Sequence, residues 1–185
     1  MQTRARRPNR VRIIGGTWRS RVIRFPGTGG LRPTPDRVRE TLFNWLGQDL
    51  SGRRCLDLYA GSGALGFEAL SRGAASVTMV ERDTVAFRAL KESARALGAA
   101  NLDLVHGDAL EFAAHARAGF DIVFLDPPFA EGVPDAVWPL VLERLAEGGM
   151  VYFESASKFP GRPGFDVLKY GQAGAVHYHL LGRKT

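Results

Sequence analysis

Between residues 53 and 154 the chain alternates short apolar runs with segments of helical spacing, and that alternation leaves few folds open. Cys55–Leu58, Ser76–Val80, Leu102–His106, Asp121–Leu125 and Met150–Glu154 have the length and side chains of buried strands. Between them come helical segments. Ala64–Ser71 stops at Gly73. Asp83–Leu97 sets Phe87, Leu90, Ala94 and Leu97 on one side and Arg88, Lys91, Glu92 and Arg95 on others. A short segment spans Leu110–Ala116, and Pro134–Leu145 follows. Strand–helix–strand order with short connections makes neighbouring strands parallel and covers both faces of their sheet. The expectation is an α/β fold, a doubly wound, mostly parallel, Rossmann-like sheet.

The two ends of the chain break the pattern. Phe165–Tyr170 and Ala175–Leu181 flank Gly171-Gln172-Ala173-Gly174 with no helix between, which predicts an antiparallel hairpin at one sheet edge and seven strands in all. At the start, residues 1–10 read as a flexible basic tail. Val11–Ile14 and Arg21–Phe25 around Gly15-Gly16 read as a small hairpin, and Pro26–Leu31 as a glycine-rich loop. A helix is then expected with Thr34 as its cap, Pro35 at its first position, Val38, Leu42, Trp45 and Leu46 on one face, and Gly47 as its stop. The chain thus divides into a tail (1–10), an extension of hairpin and helix (11–50), and the main domain (51–185).

Charge is uneven. Residues 1–40 hold eleven arginines, no lysine, and only Asp36 and Glu40 as acids, a net +9; the whole chain sums to +6, so the other 145 residues carry −3. A basic leading arm on a mildly acidic body suggests a polyanionic partner, and arginine's planar fork suits phosphates and base edges. No apolar stretch approaches the ~18 residues of a membrane span. The N-terminus is basic with no apolar segment behind it, which argues against a secretory signal. Cys55 stands alone inside a predicted strand, so no internal disulfide forms, and a reducing, cytoplasmic setting is expected. A monomer is the default at this size.

Two turns carry the chemistry. Asp57-Leu58-Tyr59-Ala60-Gly61-Ser62-Gly63-Ala64-Leu65-Gly66 joins the first main strand to its helix and contains G-x-G-x-x-G, with Glu81 ending the next strand where a carboxylate can hold ribose hydroxyls. A dinucleotide would bring a pyrophosphate to this turn, and Asp57 works against that. S-adenosylmethionine brings a sulfonium and an amino group, which a carboxylate favours. Asp57 serves equally as a cap for backbone amides of the turn. Asp108, after the third strand, can accept from an adenine amino group or cap the helix that follows. The second turn is Asp126-Pro127-Pro128-Phe129. Its prolines restrict the backbone. Asp126 and a proline carbonyl can accept the two N–H bonds of an aromatic amino group, and Phe129 can stack on the base. His177 and His179 share a strand face but lack further ligand partners, so no metal is expected.

These residues resemble the class I S-adenosylmethionine-dependent methyltransferases that modify exocyclic amino groups. The chain is most similar to the RsmD family, the 16S rRNA guanine-N2 methyltransferases. The likeness rests on Arg12-Ile13-Ile14-Gly15-Gly16 with Trp18-Arg19, on the specific block Leu31–Leu46 (LRPTPDRVRETLFNWL), on Leu56–Gly66, on Glu68-Ala69-Leu70-Ser71-Arg72-Gly73, and on the Asp126 turn. Tyr59 stands where the family more usually has Phe. The resemblance implies methyl transfer from S-adenosylmethionine, without a metal, to N2 of a guanine in 16S rRNA, at the position numbered 966 in the usual scheme, within a small ribosomal subunit or its precursor. It implies cofactor binding at Asp57, Ala60, Gly61, Gly63, Glu81 and Asp108, joined by Thr34, Ser62, Arg82 and Ala109. Catalysis falls to Asp126, Pro127, Pro128 and Phe129. RNA contacts fall to Arg12, Arg19, Arg21, Arg32 and Arg37, with Arg32–Glu40 closing over the cofactor. Other readings remain open on the residues alone: an adenine-N6 or other nucleic-acid amino-methyltransferase, an NAD-dependent oxidoreductase, and a non-catalytic RNA-binding assembly factor.

Overall fold

A computed structural model describes residues 9–26, 33–128 and 130–184. Most of the expected tail (1–8), most of the glycine-rich loop with Arg32 (27–32), and Phe129 lie outside the described residues. The main sheet has seven strands in the order β5-β4-β3-β6-β7-β9-β8, where β3 is Arg54–Asp57, β4 Ser76–Glu81, β5 Leu102–His106, β6 Phe120–Leu125, β7 Leu145–Ser155, β8 Phe165–Ala173 and β9 Val176–Arg183. The first five pair in parallel and β9 runs antiparallel to β7 and β8, as the alternation and the tail hairpin require. Chain order reverses between β3 and β6, so the crevice of this open sheet lies above those two strands.

Helices α2 (Ala64–Ser71), α3 (Thr84–Leu97), α4 (Ala109–His115) and α5 (Val137–Arg144) connect the strands. Side-chain alternation along each strand sorts the core into two layers. Cys55, Val77, Met79, Ile122, Phe124 and Tyr152 pack toward α2 and α3; Leu56, Val80, Val123, Leu125, Val151 and Phe153 pack toward α4 and α5. This alternation positions the site. Asp57 follows Cys55, Asp126 follows Phe124, and Glu154 follows Tyr152, so all three acids point to the face that α2 shares.

The N-terminal extension packs on that same face. β1 (Asn9–Arg12) and β2 (Val22–Phe25) form a separate antiparallel pair, so Asn9 and Arg10 belong to a strand and not to the tail. Val11, Ile13, Ile23 and Phe25 bury against the α2 side, together with Val38, Leu42 and Phe43 of α1 (Asp36–Leu46). A buried ionic cluster ties the extension down. Glu68 of α2 accepts the amides of Ile14 (2.9 Å) and Gly15 (2.8 Å), and pairs with Arg39 (3.2 Å) and Arg72 (2.9 Å). Burial of these charges is tolerable because each Glu68 oxygen has several donors. Ser71 adds bonds to Trp18 and Gly15.

Three local expectations need correction. Thr34 does not cap α1: the capping position is Pro35, whose carbonyl takes the amides of Val38 and Arg39, and the Thr34 side chain goes elsewhere. Helix α5 begins at Val137, after Pro134, and its end gives way at Leu145 to a longer β7 with a bulge against Phe120–Ile122. The final hairpin turns at Gly174-Ala175, and Gly171 lies within β8. A side chain at Gly171 would strike the Tyr178 ring across the strand, so this glycine serves packing and not the turn.

Candidate active site

The carboxyl edge of β3, β4, β5 and β6 opens into a cleft of about 720 Å³. Thr34, Asp57, Ala60, Gly61, Ser62, Glu81, Arg82, Asp108 and Ala109 line it, and so do Asp126, Pro127 and Pro128. The cleft thus gathers residues from nearly a hundred positions of chain.

The glycine turn occupies one wall. Gly61 (φ 51°) and Gly63 (φ 79°) sit in the left-handed region that glycine enters without strain. Gly63 faces inward. A Cβ there would lie 2.5 Å from the Phe67 ring and 2.6 Å from Leu90, and one at Gly66 would strike Met79, so these two glycines let α2 press onto the sheet. The Gly61 amide donates to Glu81 Oε2 (2.8 Å), and the Asp83 amide to Oε1 (2.7 Å), which locks the turn to the end of β4. Asp108 caps α4 through Oδ1, accepting from Leu110 (2.8 Å) and Glu111 (3.1 Å), while its other oxygen remains without a partner among the described residues. Above the cleft mouth Arg82 pairs with Glu131 at 2.5 Å.

Asp57 is almost fully buried, and its Oδ1 has no hydrogen-bond partner among the described residues. Burial pushes its carboxyl up to about 7, against the pull of the Tyr59 and Gly66 amides. A buried carboxylate oxygen without a partner is costly. Facing the cleft, it can accept from a cationic or hydrogen-donating ligand, and the ammonium and sulfonium of S-adenosylmethionine fit such an acceptor.

Asp126 stands beside the glycine turn, at the end of the neighbouring strand β6. Its carboxyl is hemmed in by protein yet keeps some surface on the cleft. Oδ2 accepts the Thr34 hydroxyl at 3.1 Å. In the parallel register Leu125 lies beside Phe153, which brings Glu154 beside Asp126. Glu154 is buried and accepts the Tyr152 hydroxyl at 2.7 Å. Burial first, and then the mutual repulsion of the two acids, raises Asp126 well above the ordinary carboxylate range; Glu154 is raised as well. Burial and mutual repulsion thus both work against two bare charges in that place. In the turn itself the Pro128 carbonyl takes the amides of Glu131 (2.9 Å) and Gly132 (3.1 Å). The Pro127 carbonyl has no partner among the described residues.

The arginines separate into two groups. Arg19 and Arg37 are exposed, and no described residue pairs with either guanidinium. Arg12 is exposed and reaches Asp36 at 3.4 Å. Arg21 is committed to the carbonyls of Ala96 and Leu97, capping the end of α3. His179 accepts the Phe159 amide, His177 bonds Tyr170, and no cluster of three potential metal ligands occurs among the described residues. Sequence reasoning missed Glu154, Arg39 and Glu68. The signals were present: alternation from Tyr152 with the β6 register points Glu154 at Asp126, and Arg39 and Glu68 are charges set on otherwise apolar helix faces.

Comparison with known proteins agrees with this geometry. A family model described as "Conserved hypothetical protein 95" matches residues 11–182. The ribosomal RNA small subunit methyltransferase D of Escherichia coli is 42% identical over 180 residues, spanning 95% of this chain and 91% of the relative. A solved structure described as the putative methyltransferase yhhF from Escherichia coli superposes with a TM-score of 0.87 at 41% identity, covering 95% of this chain and 99% of that one. The 16S rRNA N2 G1207 methyltransferase RsmC of Thermus thermophilus, solved in complex with AdoMet and guanosine, superposes with a TM-score of 0.72 at 27% identity over 97% of this chain and 50% of that one. The chain therefore belongs to the family of that first model, the RsmD family of methyltransferases.

Proposed function

We propose that this protein methylates the exocyclic N2 of a guanine in small-subunit rRNA, using S-adenosylmethionine, and that its substrate is the small ribosomal subunit or a precursor of it. The observation that carries the reading is the pair of acids, Asp57 buried and Asp126 half-buried, at the ends of neighbouring strands and lining one cleft. The names of the E. coli and Thermus relatives support the RNA and the nitrogen; the cleft supports the chemistry.

Bound in the cleft, S-adenosylmethionine would supply an electrophilic methyl group. Asp57 Oδ1 would receive its amino group, Glu81 its ribose hydroxyls through lone pairs the turn amides leave free, and the open oxygen of Asp108 its adenine amino group. Ala60, Gly61, Ser62, Arg82 and Ala109 complete the wall, Thr34 lines the cleft with its hydroxyl on Asp126, and Gly63 acts beneath the wall by letting α2 close on the sheet. Asp126 and the Pro127 carbonyl would accept the two N–H bonds of the guanine amino group. That grip orients a nitrogen whose lone pair is delocalised, and a fixed carboxylate stabilises the positive charge that develops on it. The nitrogen must then lose a proton, and the Asp126 carboxylate that accepts its N–H bond is the base within reach. Phe129 would stack on the base. Arg12, Arg19 and Arg37, with Arg32, would meet phosphates, and Arg21 would act through the fold. The protein is expected to work as a monomer.

The test is to incubate naked rRNA, precursor particles and mature small subunits with methyl-labelled S-adenosylmethionine and map the modified nucleotide. Label on guanine N2 of the small-subunit RNA is the expected result. Label on adenine or on DNA, or no transfer to any of them, would refute the proposal.

A further inference from the structure

The Thr34 hydroxyl touches Asp126 across 92 residues of chain, and nothing in the transfer just described requires a hydroxyl there. Thr34 is buried, so its Oγ is not left to solvent. Its backbone is fixed from below: Arg39 Nε donates to the Thr34 carbonyl at 3.1 Å. The same guanidinium holds Glu68 and reaches Asp36 at 2.5 Å. Glu68 in turn holds the first hairpin through Ile14 and Gly15. A continuous set of buried polar contacts therefore runs from the N-terminal extension to one oxygen of the Asp126 carboxylate.

We propose that Thr34 is a positioning residue for methyl transfer: its hydroxyl, anchored by Arg39 and Glu68, occupies Asp126 Oδ2 and so turns Oδ1 toward the acceptor amine. The inference rests on the proposed function above. A carboxylate has two equivalent oxygens and a freely rotating terminal torsion. Asp126 also stands beside a second acid, Glu154, which repels it. A donor on one oxygen removes both freedoms, and orientation within tenths of an ångström is what a transfer without covalent intermediates depends on. Thr34 also opposes the rise that burial imposes on both acids, as a hydrogen bond to an ionised group does. Its place at the start of α1 is explained in the same way: Pro35 replaces a side-chain cap, which frees the hydroxyl for Asp126.

The test uses the full chain and the pair Thr34→Val and Thr34→Ser. Val keeps the shape and removes the donor; Ser keeps the donor. On small-subunit particles, Thr34→Val should lower kcat by about 10- to 100-fold, with KM for S-adenosylmethionine and the Kd for S-adenosylhomocysteine within about threefold of wild type. Thr34→Ser should restore the rate to within about threefold. A second readout needs no substrate. In a carboxyl carbon NMR titration, Asp126 faces Glu154 and Tyr152 from β7 and Asp57 from β3. Against these fixed neighbours, Thr34→Val should move its midpoint up and Thr34→Ser should leave it in place. An unchanged midpoint and rate in Thr34→Val would overturn the inference, as would a loss confined to cofactor affinity. If wild type transfers no methyl to guanine while the midpoint still moves, the proposed function fails and the placement of the carboxylate stands.

Discussion

Two turns stand side by side at the carboxyl edge of the sheet, each opening with an acid that lines the cleft, and they are built by opposite means. The turn after β3 is made of glycines. Its backbone bends through left-handed conformations, Glu81 ties it from the next strand, and Asp57 is left with an oxygen that no described residue satisfies. The turn after β6 is stiffened by two prolines, and its acid is held from outside the sheet by Thr34 and crowded by Glu154. The first turn leaves room and an unmet charge, as a wall for a bound small molecule must. The second leaves little freedom and a single aimed oxygen, as a grip on a reacting group must. Binding and chemistry are thus divided between adjacent strands, and the division can be broken one residue at a time.

The largest effect is expected at Asp126. Asp126→Ala should lower the single-turnover rate of methyl transfer by about 10³-fold, the scale on which a preorganised electrostatic contact to developing charge acts. Next comes the pH response of Asp57. Its carboxyl rises from 3.8 to about 7 in the fold, so folding favours the protonated form. That contribution is complete below pH 3.8 and is lost as the pH rises through about 7; the loss amounts to about 4 kcal/mol. Denaturant unfolding of the ligand-free protein at pH 4 and pH 8 should show this slope, and Asp57→Asn should remove that part of it. An equal slope in the variant would mean the burial of Asp57 is not what the geometry indicates.

Arg39→Met should cost about 3 kcal/mol in the same unfolding measurement, because it strands Glu68 without one of its partners. It should also slow transfer more than it weakens S-adenosylhomocysteine binding, since Arg39 supports Thr34 and not the glycine wall. The smallest effect belongs to the surface. Arg19→Ala with Arg37→Ala should weaken particle binding by about threefold at low salt and flatten the salt dependence, without changing the rate at saturating substrate.

How much of this the sequence revealed depended on the distance over which each contact acts. The β3 turn was legible because its glycines, Asp57 and Glu81 lie within one strand–helix–strand unit. The Asp126 turn was legible as a stiff turn with an acid at the carboxyl end of a strand, because its residues are consecutive in the chain. Seven strands and the terminal hairpin followed from patterning. The hairpin's turn was misplaced because Gly171 looks like a turn residue until Tyr178 is seen across from it. Thr-Pro before a helix is a cap pattern in sequence, and the competing demand on the Thr34 hydroxyl comes from a partner 92 residues away. Arg39 and Glu68 were visible as misplaced charges, but their pairing required the packing of α1 on α2.

The division between the two turns is tested most directly by calorimetric titration of S-adenosylhomocysteine into Asp57→Ala and Asp126→Ala. Loss of a charged hydrogen-bond acceptor at Asp57 should weaken binding by about 10- to 100-fold, while Asp126→Ala stays within about threefold of wild type. The opposite ranking, or equal losses, would contradict the assignment of binding to one turn and chemistry to the other.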